Sequence, residues 1–372
     1  MIQKLEVKGL NNQVDASLEF NEDLNIITGR NGSGKTTLLK LIWYLISGNL
    51  ERIIPEILFQ SVSIETDLFS LFIRQVKPDM GELECEFHNG CGAIVDFGIP
   101  LRRADNEQIY QLNQQIARAV DSSLFFPTFR RIEGGFARSR YIADDDSVTY
   151  RDQLRGRYGD RATEMLQEAM SRLSTEVSVS NHKFIASIST HDIVELLTEK
   201  YADVVEKANE LHVTLSKEIT QQISETKPLE DTTAVLESIQ KRVEQINEER
   251  DLLFRPFSVL RERIRDIFEH KGIRVTSGIT FGEANEAIAS DKLSSGEKQM
   301  LSFLCYNTFS ENAAIFIDEP ELSLHVDWQR FLLPTLLEQE TDNQFFVATH
   351  SPFIYAKYPD KEILLGEEHG GD

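Results

Sequence analysis

The sequence predicts an α/β protein with a mixed-sheet core, an antiparallel β subdomain and an inserted helical hairpin. Short apolar runs alternate with helix-like segments near both ends of the 372-residue chain, which is typical of a parallel sheet with helices on its faces. Alternating apolar and polar stretches surround the first of these runs, and the middle of the chain has a heptad repeat. We therefore predict one domain built from residues 1–135 and 272–372, with a helical insertion at 136–271.

The composition favours a cytoplasmic, reduced protein. Hydrophobic residues make up 41% of the chain, which is enough for a substantial core. The net charge of -22 disfavours general binding of nucleic acid unless a local basic patch provides the contact. The sequence has three cysteines, no apolar run of membrane-spanning length and no signal-peptide pattern, so we expect no membrane partner.

The N-terminal block contains a series of strand-like stretches. LNIIT (24–28) is an apolar run that leads into a glycine-rich turn, as a parallel core strand does. The stretches typical of antiparallel ribbons or further strands are VDASLEF, SVSIET, LFSLFI, ELECEF, AIVDF and SLFFPTF. CEFHNGC offers Cys85, His88 and Cys91 as metal ligands, but structural zinc needs four, and the Asn-Gly pair favours a hairpin turn instead.

Heptad spacing marks the helical insertion. The first seam is Val194, Leu197, Tyr201, Val204, Ala208, Leu211 and Leu215. The second seam is Leu236, Ile239, Val243, Ile246, Arg250, Leu253, Phe257, Leu260, Ile264 and Ile267. Pro256 is predicted to kink or break the second helix. A self-paired antiparallel hairpin with a polar tip at 220–233 is favoured, and ordinary helices packed on a globular lobe are the alternative.

A glycine-rich loop predicts nucleotide binding. GRNGSGKTT (29–37) fits the G-x-x-x-x-G-K-[ST] phosphate loop, follows a strand and opens a helix, as that motif requires. Glycines let backbone N–H groups wrap phosphates, Lys35 would reach the β and γ phosphates, and the Thr36 hydroxyl would bind Mg²⁺. The predicted nucleotide contacts of the loop are Gly29, Asn31, Gly32, Ser33, Gly34, Lys35, Thr36 and Thr37.

Two later strands end on side chains suited to hydrolysis. AAIFIDEPE places Asp318 and Glu319 at the carboxyl end of an apolar strand, where open α/β sheets bind ligands. Asp318 is expected to hold Mg²⁺ and Glu319 to act as general base, with capping of the next helix as the alternative. Glu321 is a weaker candidate because it falls in the following turn. QFFVATHSP ends on His350, which can contact the γ-phosphate and water or merely cap the strand end.

The stretch KLSSGEKQMLSFL combines small polar residues with the start of an amphipathic helix. Ser294 and Glu297 have the spacing of a capping box, which satisfies free N–H groups at a helix start. The same helix start could instead bind a phosphate of another molecule, and the two uses are compatible. The stretch precedes the acidic pair by about 24 residues, and His350 follows that pair by about 32.

This ordered set of motifs resembles the ATP-binding cassette (ABC) ATPases, in which the serine-glycine sequence is the signature motif. In this chain Glu297 stands where transporters usually have Gln, and Ser295 where they usually have Gly. The resemblance implies an ABC-type P-loop ATPase that uses ATP and Mg²⁺. It also implies a homodimer that sandwiches two nucleotides, in which Ser294, Ser295, Gly296 and Glu297 complete the site of the opposite subunit.

IDEPELSLH and FVATHSP look like the SMC-like branch of the family, which includes the ATPase regions of OLD nucleases and of bacterial defence operons. The resemblance covers roughly 1–130 and 270–366, and the helical insertion is similar in type to the longer Rad50 and SMC coiled coils. Ser323, Leu324 and His325 lie where the family has its D-loop, which crosses the dimer interface. Gln60 and Gln75 are candidates for the family's magnesium-sensing glutamine, whose position stays open.

Departures from these relatives narrow the expected function. OLD nucleases carry a Toprim nuclease domain after the histidine strand, whereas this chain ends at Asp372, so we expect no Toprim cleavage. Rad50 joins its coil tips through a cysteine zinc hook, and the 220–233 tip contains no cysteine, so we expect no long-range tethering of DNA. The helical insertion and the ATHSP ending also disfavour the ATPase subunit of a membrane transporter.

Residues 129–161 form a basic region in a chain that is acidic as a whole. Six acidic residues reduce its net charge to +2, so a salt-bridged surface is the favoured explanation, with contact to nucleic acid or an acidic partner as the alternative. Its arginines are Arg130, Arg131, Arg138, Arg140, Arg151, Arg155, Arg157 and Arg161.

The favoured function is an ATP-hydrolysing sensor or scaffold subunit of a bacterial anti-phage system, similar to the ATPases of Septu, PARIS or retron operons. Such a subunit would dimerise around ATP and control a separate effector protein, expected to be a nuclease. The alternative is a RecF- or Rad50-like DNA repair ATPase that acts on DNA itself.

Overall fold

A computed structural model describes the fold in residues 1–12, 14–77, 82–89, 94–101, 106–128, 130–132, 168–188, 190–225, 232–268 and 293–366. The strands are β1 Ile2–Leu10, β2 Val14–Glu19, β3 Leu24–Thr28, β4 Ser61–Thr66, β5 Phe69–Lys77, β6 Glu82–Asn89, β7 Ile94–Leu101, β8 Ser123–Phe126, β9 Arg131–Ile132, β10 His182–Phe184, β11 Ser187–Ile188, β12 Ala314–Asp318, β13 Gln344–Ala348 and β14 Glu362–Leu364. The helices are α1 Lys35–Ser47, α2 Leu50–Glu56, α3 Asn106–Ala119, α4 Thr190–Glu225, α5 Thr232–Phe268, α6 Ser295–Thr308, α7 Val326–Leu337 and α8 Pro352–Tyr355. Short 3-10 helices span Pro320–Ser323 and Pro359–Lys361.

A parallel sheet with strand order β10-β8-β12-β13-β3-β14 positions the predicted motifs. Every residue of β3, β12 and β13 is buried, which explains why these strands are nearly continuous apolar runs in the sequence. β13 lies between β12 and β3, and all three run in the same direction. Their carboxyl ends, and the loops that follow them, therefore meet at one edge of the sheet.

A second sheet is antiparallel, with the order β2-β1-β4-β5-β6-β7. The predicted antiparallel subdomain is thus confirmed as a separate six-stranded sheet. The core sheet, predicted to be mixed, is parallel at every pairing among its described strands. The hairpin predicted at CEFHNGC is also confirmed, because His88 of β6 pairs with Ile94 of β7. Cys85 is buried and His88 is exposed. No metal-ligand cluster occurs in the part of the chain that the structure describes, and Cys91 lies outside that part.

The two long helices form the predicted self-paired hairpin. Arg242 of α5 pairs with Glu218 of α4 at 2.8 Å, and the ring of Phe257 lies 5.6 Å from that of Tyr201, so the pairing runs antiparallel. The sequence predicts that Pro256 kinks or breaks the second helix; the break is wrong, since α5 continues through Pro256, and the kink stays a prediction. None of the described helices is long and apolar enough to span a membrane.

The chain divides into two compact units. The first contains 1–188, 294–303 and 310–372, and the second contains 189–293 and 304–309. α6 contributes residues to both units. The boundaries predicted from the sequence stay predictions. The strand-like stretch RVTSGITF (274–281) and most of the basic region lie outside the described residues.

Aromatic stacking inside the parallel sheet gives the first prediction. Phe316 is fully buried in β12, with ring centroids 6.1 Å from Phe125 and 4.8 Å from Phe346. We expect Phe316→Ala to lower the free energy of unfolding of the nucleotide-free protein by about 3 to 5 kcal/mol, because it leaves a cavity between two packed rings. Chemical denaturation measures the change.

Phe331→Ala is the matched control, because its ring on α7 is 59% exposed. That substitution should change the free energy of unfolding by less than about 0.5 kcal/mol. Equal losses for the two variants would contradict the assignment of Phe316 to the core.

Candidate active site

The glycine-rich loop folds as a tight turn between β3 and α1. Gly29, Gly32 and Gly34 have φ angles of 146°, 83° and 92°, which a side chain strongly disfavours. A Cβ atom on Gly29 would also lie 2.5 Å from the carbonyl oxygen of Leu365. The sequence therefore needs glycine here for backbone shape, and the turn leaves α1 beginning directly at Lys35.

Lys35 is buried beneath this loop. Its Nζ donates hydrogen bonds to the carbonyl oxygens of Gly29 at 3.2 Å and Arg30 at 3.1 Å. Burial lowers the pKa of Lys35, and the negative charges of Glu319, Asp318 and Glu321 oppose that shift. The ammonium group thus faces both the loop and the acidic turn.

Asp318, the last residue of β12, is joined to two other segments. Thr36 donates a hydrogen bond to one carboxylate oxygen at 3.1 Å, and Thr128 donates a short hydrogen bond to the other. Burial raises the pKa of Asp318, while the hydroxyls of Thr128 and Thr36 and the charge of Arg130 act in the opposite direction. The structure therefore brings together the two predicted metal-binding residues, Thr36 and Asp318.

Glu319 and His350 face each other across the loop ends of β12 and β13. Glu319 Oε1 lies 4.0 Å from His350 Nε2. Glu319 has a φ of 46°, a left-handed conformation that is uncommon for residues other than glycine. A cavity of about 450 Å³ lies between this pair and the phosphate loop, and its lining residues are Asn11, Asn31, Gly32, Gly34, Lys35, Thr36, Thr37, Glu319 and His350.

Glu321 holds the histidine loop in place. Its Oε1 accepts the backbone N–H of His350 at 2.7 Å, and its Oε2 accepts the hydroxyl of Thr349 at 2.9 Å. Because both carboxylate oxygens are engaged, Glu321 is poorly suited to act as a base. The sequence also predicts that Glu321 is a weaker candidate for the base than Glu319. It does not predict that Glu321 positions the loop that carries His350.

Two further residues of the site come from the segment after β8. Thr128 contacts the Asp318 carboxylate, and Arg130 donates hydrogen bonds to the carbonyl oxygens of Asp318 at 2.7 Å and Glu319 at 3.2 Å. Burial lowers the pKa of Arg130 to about 10, against the opposing charges of Asp318, Glu321 and Glu319, so the guanidinium stays charged at neutral pH. The interpretation of Arg130 as part of a basic surface is wrong, because it is buried.

Sequence reasoning missed both residues although a signal was available. SLFFPTF was identified as a strand, and the residues just beyond the carboxyl end of a parallel strand are candidates for the site. By contrast, neither Gln60 nor Gln75 lines the cavity. Gln75 donates its backbone N–H to the Gln60 carbonyl at 3.0 Å, so both take part in pairing near the antiparallel sheet.

The signature stretch has the predicted capping box. Glu297 Oε2 accepts the backbone N–H of Ser294 at 2.7 Å and its hydroxyl at 2.9 Å. Ser294 is exposed, and Ser295 and Gly296 are half-buried. Residues 294–297 are not among the described residues that line the cavity of their own chain.

Residues 24–356 match the family described as "AAA domain, putative AbiEii toxin, Type IV TA system". The chain belongs to this family. "Retron Vc95 probable ATPase" of Vibrio cholerae is 24% identical over 377 residues, which cover 93% of this chain and 69% of that protein. These two findings confirm the resemblance to ATPases of anti-phage systems, and they identify the chain as an ATPase.

Two shorter similarities involve nucleic-acid enzymes and proteins. "Endonuclease GajA" of Bacillus cereus is 41% identical over 75 residues, which cover 18% of this chain and 13% of that protein. "DNA replication and repair protein RecF" of Acetivibrio thermocellus is 28% identical over 108 residues, which cover 28% of each chain. Both are partial matches, so neither extends to the whole of this chain.

The buried carboxylate of Asp318 gives a prediction about stability. Because its folded-state pKa is raised, the protonated form stabilises the fold and that stability is lost as the pH rises through the raised pKa. Asp318→Asn has no proton to lose, so the melting temperature of this nucleotide-free variant should rise relative to wild type as the pH increases from the ordinary Asp value of 3.8 through the raised pKa, and the difference should then stay level at higher pH. Thermal unfolding at several pH values measures this.

Asp23→Asn is the matched control. The Asp23 carboxylate pairs with Lys361 at 2.6 Å at the surface, so removing its charge should lower the melting temperature slightly. A constant difference between wild type and Asp318→Asn at all pH values would show that the Asp318 carboxylate is not destabilised by burial.

Proposed function

We propose that the cavity binds ATP with Mg²⁺ and that Glu319 and His350 promote hydrolysis of the γ-phosphate. The donors present suit this ligand. The loop presents backbone N–H groups at the start of α1, and the Ser33 hydroxyl is buried without a hydrogen-bond partner among the described residues. A threonine hydroxyl beside a carboxylate, 3.1 Å apart, is the oxygen donor pair that Mg²⁺ prefers.

The residue roles follow from these contacts. Lys35 neutralises phosphate charge, and Thr36 and Asp318 would hold Mg²⁺, which would supply further charge neutralisation. Glu319 orients the attacking water and accepts its proton, while His350 hydrogen-bonds the same water or the γ-phosphate. The 4.0 Å separation of the Glu319 and His350 side chains lets both act on one small molecule.

We also infer that two copies of the chain assemble around two nucleotides. The observation that carries this inference is the location of the exposed Ser294 and the half-buried Ser295 and Gly296 at a helix start that does not line the cavity of its own chain. Such a helix start can bind the γ-phosphate in a second copy through its N–H groups and dipole. The capping by Glu297 keeps the helix start in shape for this contact.

The biological role supported best is anti-phage defence, with ATP controlling a separate effector. The similarity to the retron ATPase extends over 93% of the chain, and it supports this role most strongly. We propose that the ATP-bound dimer holds or releases an effector, a nuclease being the expected class. The local similarity to an endonuclease agrees with a system of this kind.

The alternative is a DNA repair ATPase, which the partial similarity to RecF favours. It requires a surface that binds the DNA backbone, and the net charge of -22 opposes this. ATP-dependent binding to duplex DNA with a steep salt dependence would support this alternative over effector control.

Glu319→Gln tests the proposed function directly. The substitution keeps the size of the side chain and removes the base, so the hydrolysis rate should fall by about 100-fold or more while ATP still binds. The ATP-bound chains should then remain associated, and light scattering should report twice the monomer mass with ATP and the monomer mass without it. Co-expression with the neighbouring genes should recover the effector with one of the two states.

Glu338→Gln is a suitable control, since Glu338 ends α7 outside the cavity lining and should retain wild-type hydrolysis. Wild-type turnover by Glu319→Gln would rule out Glu319 as the base. A strictly monomeric Glu319→Gln protein at saturating ATP would rule out the two-copy arrangement.

A further inference from the structure

The end of β12 is a break in the backbone hydrogen bonding of the sheet. β8 pairs with β12 up to the register Phe126–Ile317, and Pro127 then follows in the β8 segment. No residue of the β8 segment pairs with β12 beyond this register, and the Thr128 hydroxyl instead donates to the Asp318 carboxylate. On the other side the Glu319 N–H still donates to the Ala348 carbonyl at 2.8 Å. Within the acidic turn the Glu319 carbonyl accepts the Leu322 N–H at 3.4 Å, and the carbonyls of this turn also accept hydrogen bonds from side chains.

Arg130 supplies two of these side-chain hydrogen bonds. Its Nη1 donates to the carbonyl oxygens of Pro127 at 2.9 Å and Asp318 at 2.7 Å, and its Nη2 donates to that of Glu319 at 3.2 Å. The guanidinium thus bridges the end of β8 and the acidic turn where strand pairing has stopped. A planar fork with fixed donors can do this, whereas a lysine ammonium cannot reproduce the geometry.

Gln299 holds the next carbonyl of the acidic turn, that of Pro320. Its Nε2 donates to the Pro320 carbonyl at 2.9 Å from the buried face of α6. The carbonyls of Asp318, Glu319 and Pro320 are therefore held in succession by two buried side chains. Phe303, also on α6, places its ring 5.6 Å from the Arg130 guanidinium, which packs the arginine against the same helix.

The held segment contains the strained residue of the site. Glu319 has a φ of 46°, and a left-handed conformation at a residue other than glycine persists only where the surroundings impose it. Its N–H donates to the Ala348 carbonyl, and its carbonyl accepts from Arg130 at 3.2 Å and from the Leu322 N–H at 3.4 Å. The direction of the Glu319 side chain toward His350 depends on this backbone conformation.

We propose that Arg130 and Gln299 are positioning residues for hydrolysis, which fix the backbone of the acidic turn so that the Glu319 carboxylate faces the cavity. This inference rests on the proposed role of Glu319 as base. Neither side chain lines the cavity, so they act through Glu319 rather than on the nucleotide. Their loss should lower kcat and leave the affinity for ATP unchanged.

Arg130→Lys is the first test, because it keeps a positive charge but not the fork. We expect kcat to fall by at least about tenfold, since small displacements of a catalytic group are costly, with the Kd for ATP within about twofold of wild type. In the Glu319→Gln background the same substitution should lower the residual rate by less than about twofold, because the group it positions is already gone. Steady-state kinetics and ATP titration provide these values.

Gln299→Met is the second test and guards against a folding defect in the arginine variant. The Gln299 Oε1 is buried without a partner among the described residues, so methionine removes one unpaired acceptor while it leaves the Pro320 carbonyl without its donor, and the melting temperature should stay nearly unchanged. It should also lower kcat without changing the Kd for ATP. Ser302→Ala is the control on the same helix, because the Ser302 hydroxyl is buried without a hydrogen bond to any part of the chain that the structure describes and should be dispensable.

Arg52→Lys is the control for the arginine, because Arg52 also donates to a backbone carbonyl, that of Glu176 at 2.8 Å, at an exposed site. It should retain wild-type kcat. A wild-type kcat in a folded Arg130→Lys or Gln299→Met protein would overturn the proposal. So would an equal loss from Arg130→Lys in the wild-type and Glu319→Gln backgrounds. If Glu319→Gln is inactive while either of these results is found, Glu319 keeps its proposed role as base and only the positioning role of Arg130 and Gln299 is overturned.

Discussion

The parallel alignment of β3, β12 and β13 is the constraint on which the site depends. The three strands are adjacent, buried and co-directional, so the phosphate loop, the acidic turn and the histidine loop must leave the sheet at the same edge. Residues separated by almost 300 positions, such as Thr36 and Asp318, reach hydrogen-bond distance for this reason. The buried apolar residues of these strands are therefore needed to bring the polar side chains of the site together.

Charge balance is the second feature of the site. The carboxylates of Asp318, Glu319 and Glu321 lie around two buried cations, Lys35 and Arg130, and each cation compensates part of the repulsion. The two cations are not equivalent. Lys35 lines the cavity, so its ammonium group can rotate to contact a phosphate. The guanidinium of Arg130 instead donates its hydrogen bonds to backbone carbonyls. A nucleotide with Mg²⁺ can thus replace the contacts of Lys35 without disturbing those of Arg130.

The parts of the site that the sequence predicted are those with a local signal. The phosphate loop, Asp318, Glu319, His350 and the capping box each occur in a short stretch with diagnostic spacing. Thr128 and Arg130 were not found, because their contacts arise only when β8 pairs with β12, a relation between segments almost 190 residues apart. A run of arginines also suggested a surface, and burial of one of them is a tertiary effect that composition does not reveal.

Mixing two inactive variants tests most directly whether a second copy completes the nucleotide site. Lys35→Ala removes the phosphate contact but keeps the signature, and Ser294→Arg blocks the signature but keeps the phosphate loop. Each protein alone should be inactive, whereas an equimolar mixture should hydrolyse ATP, because a pair can form one complete site from the two intact halves. A mixture that hydrolyses no more ATP than the sum of its components would contradict the account.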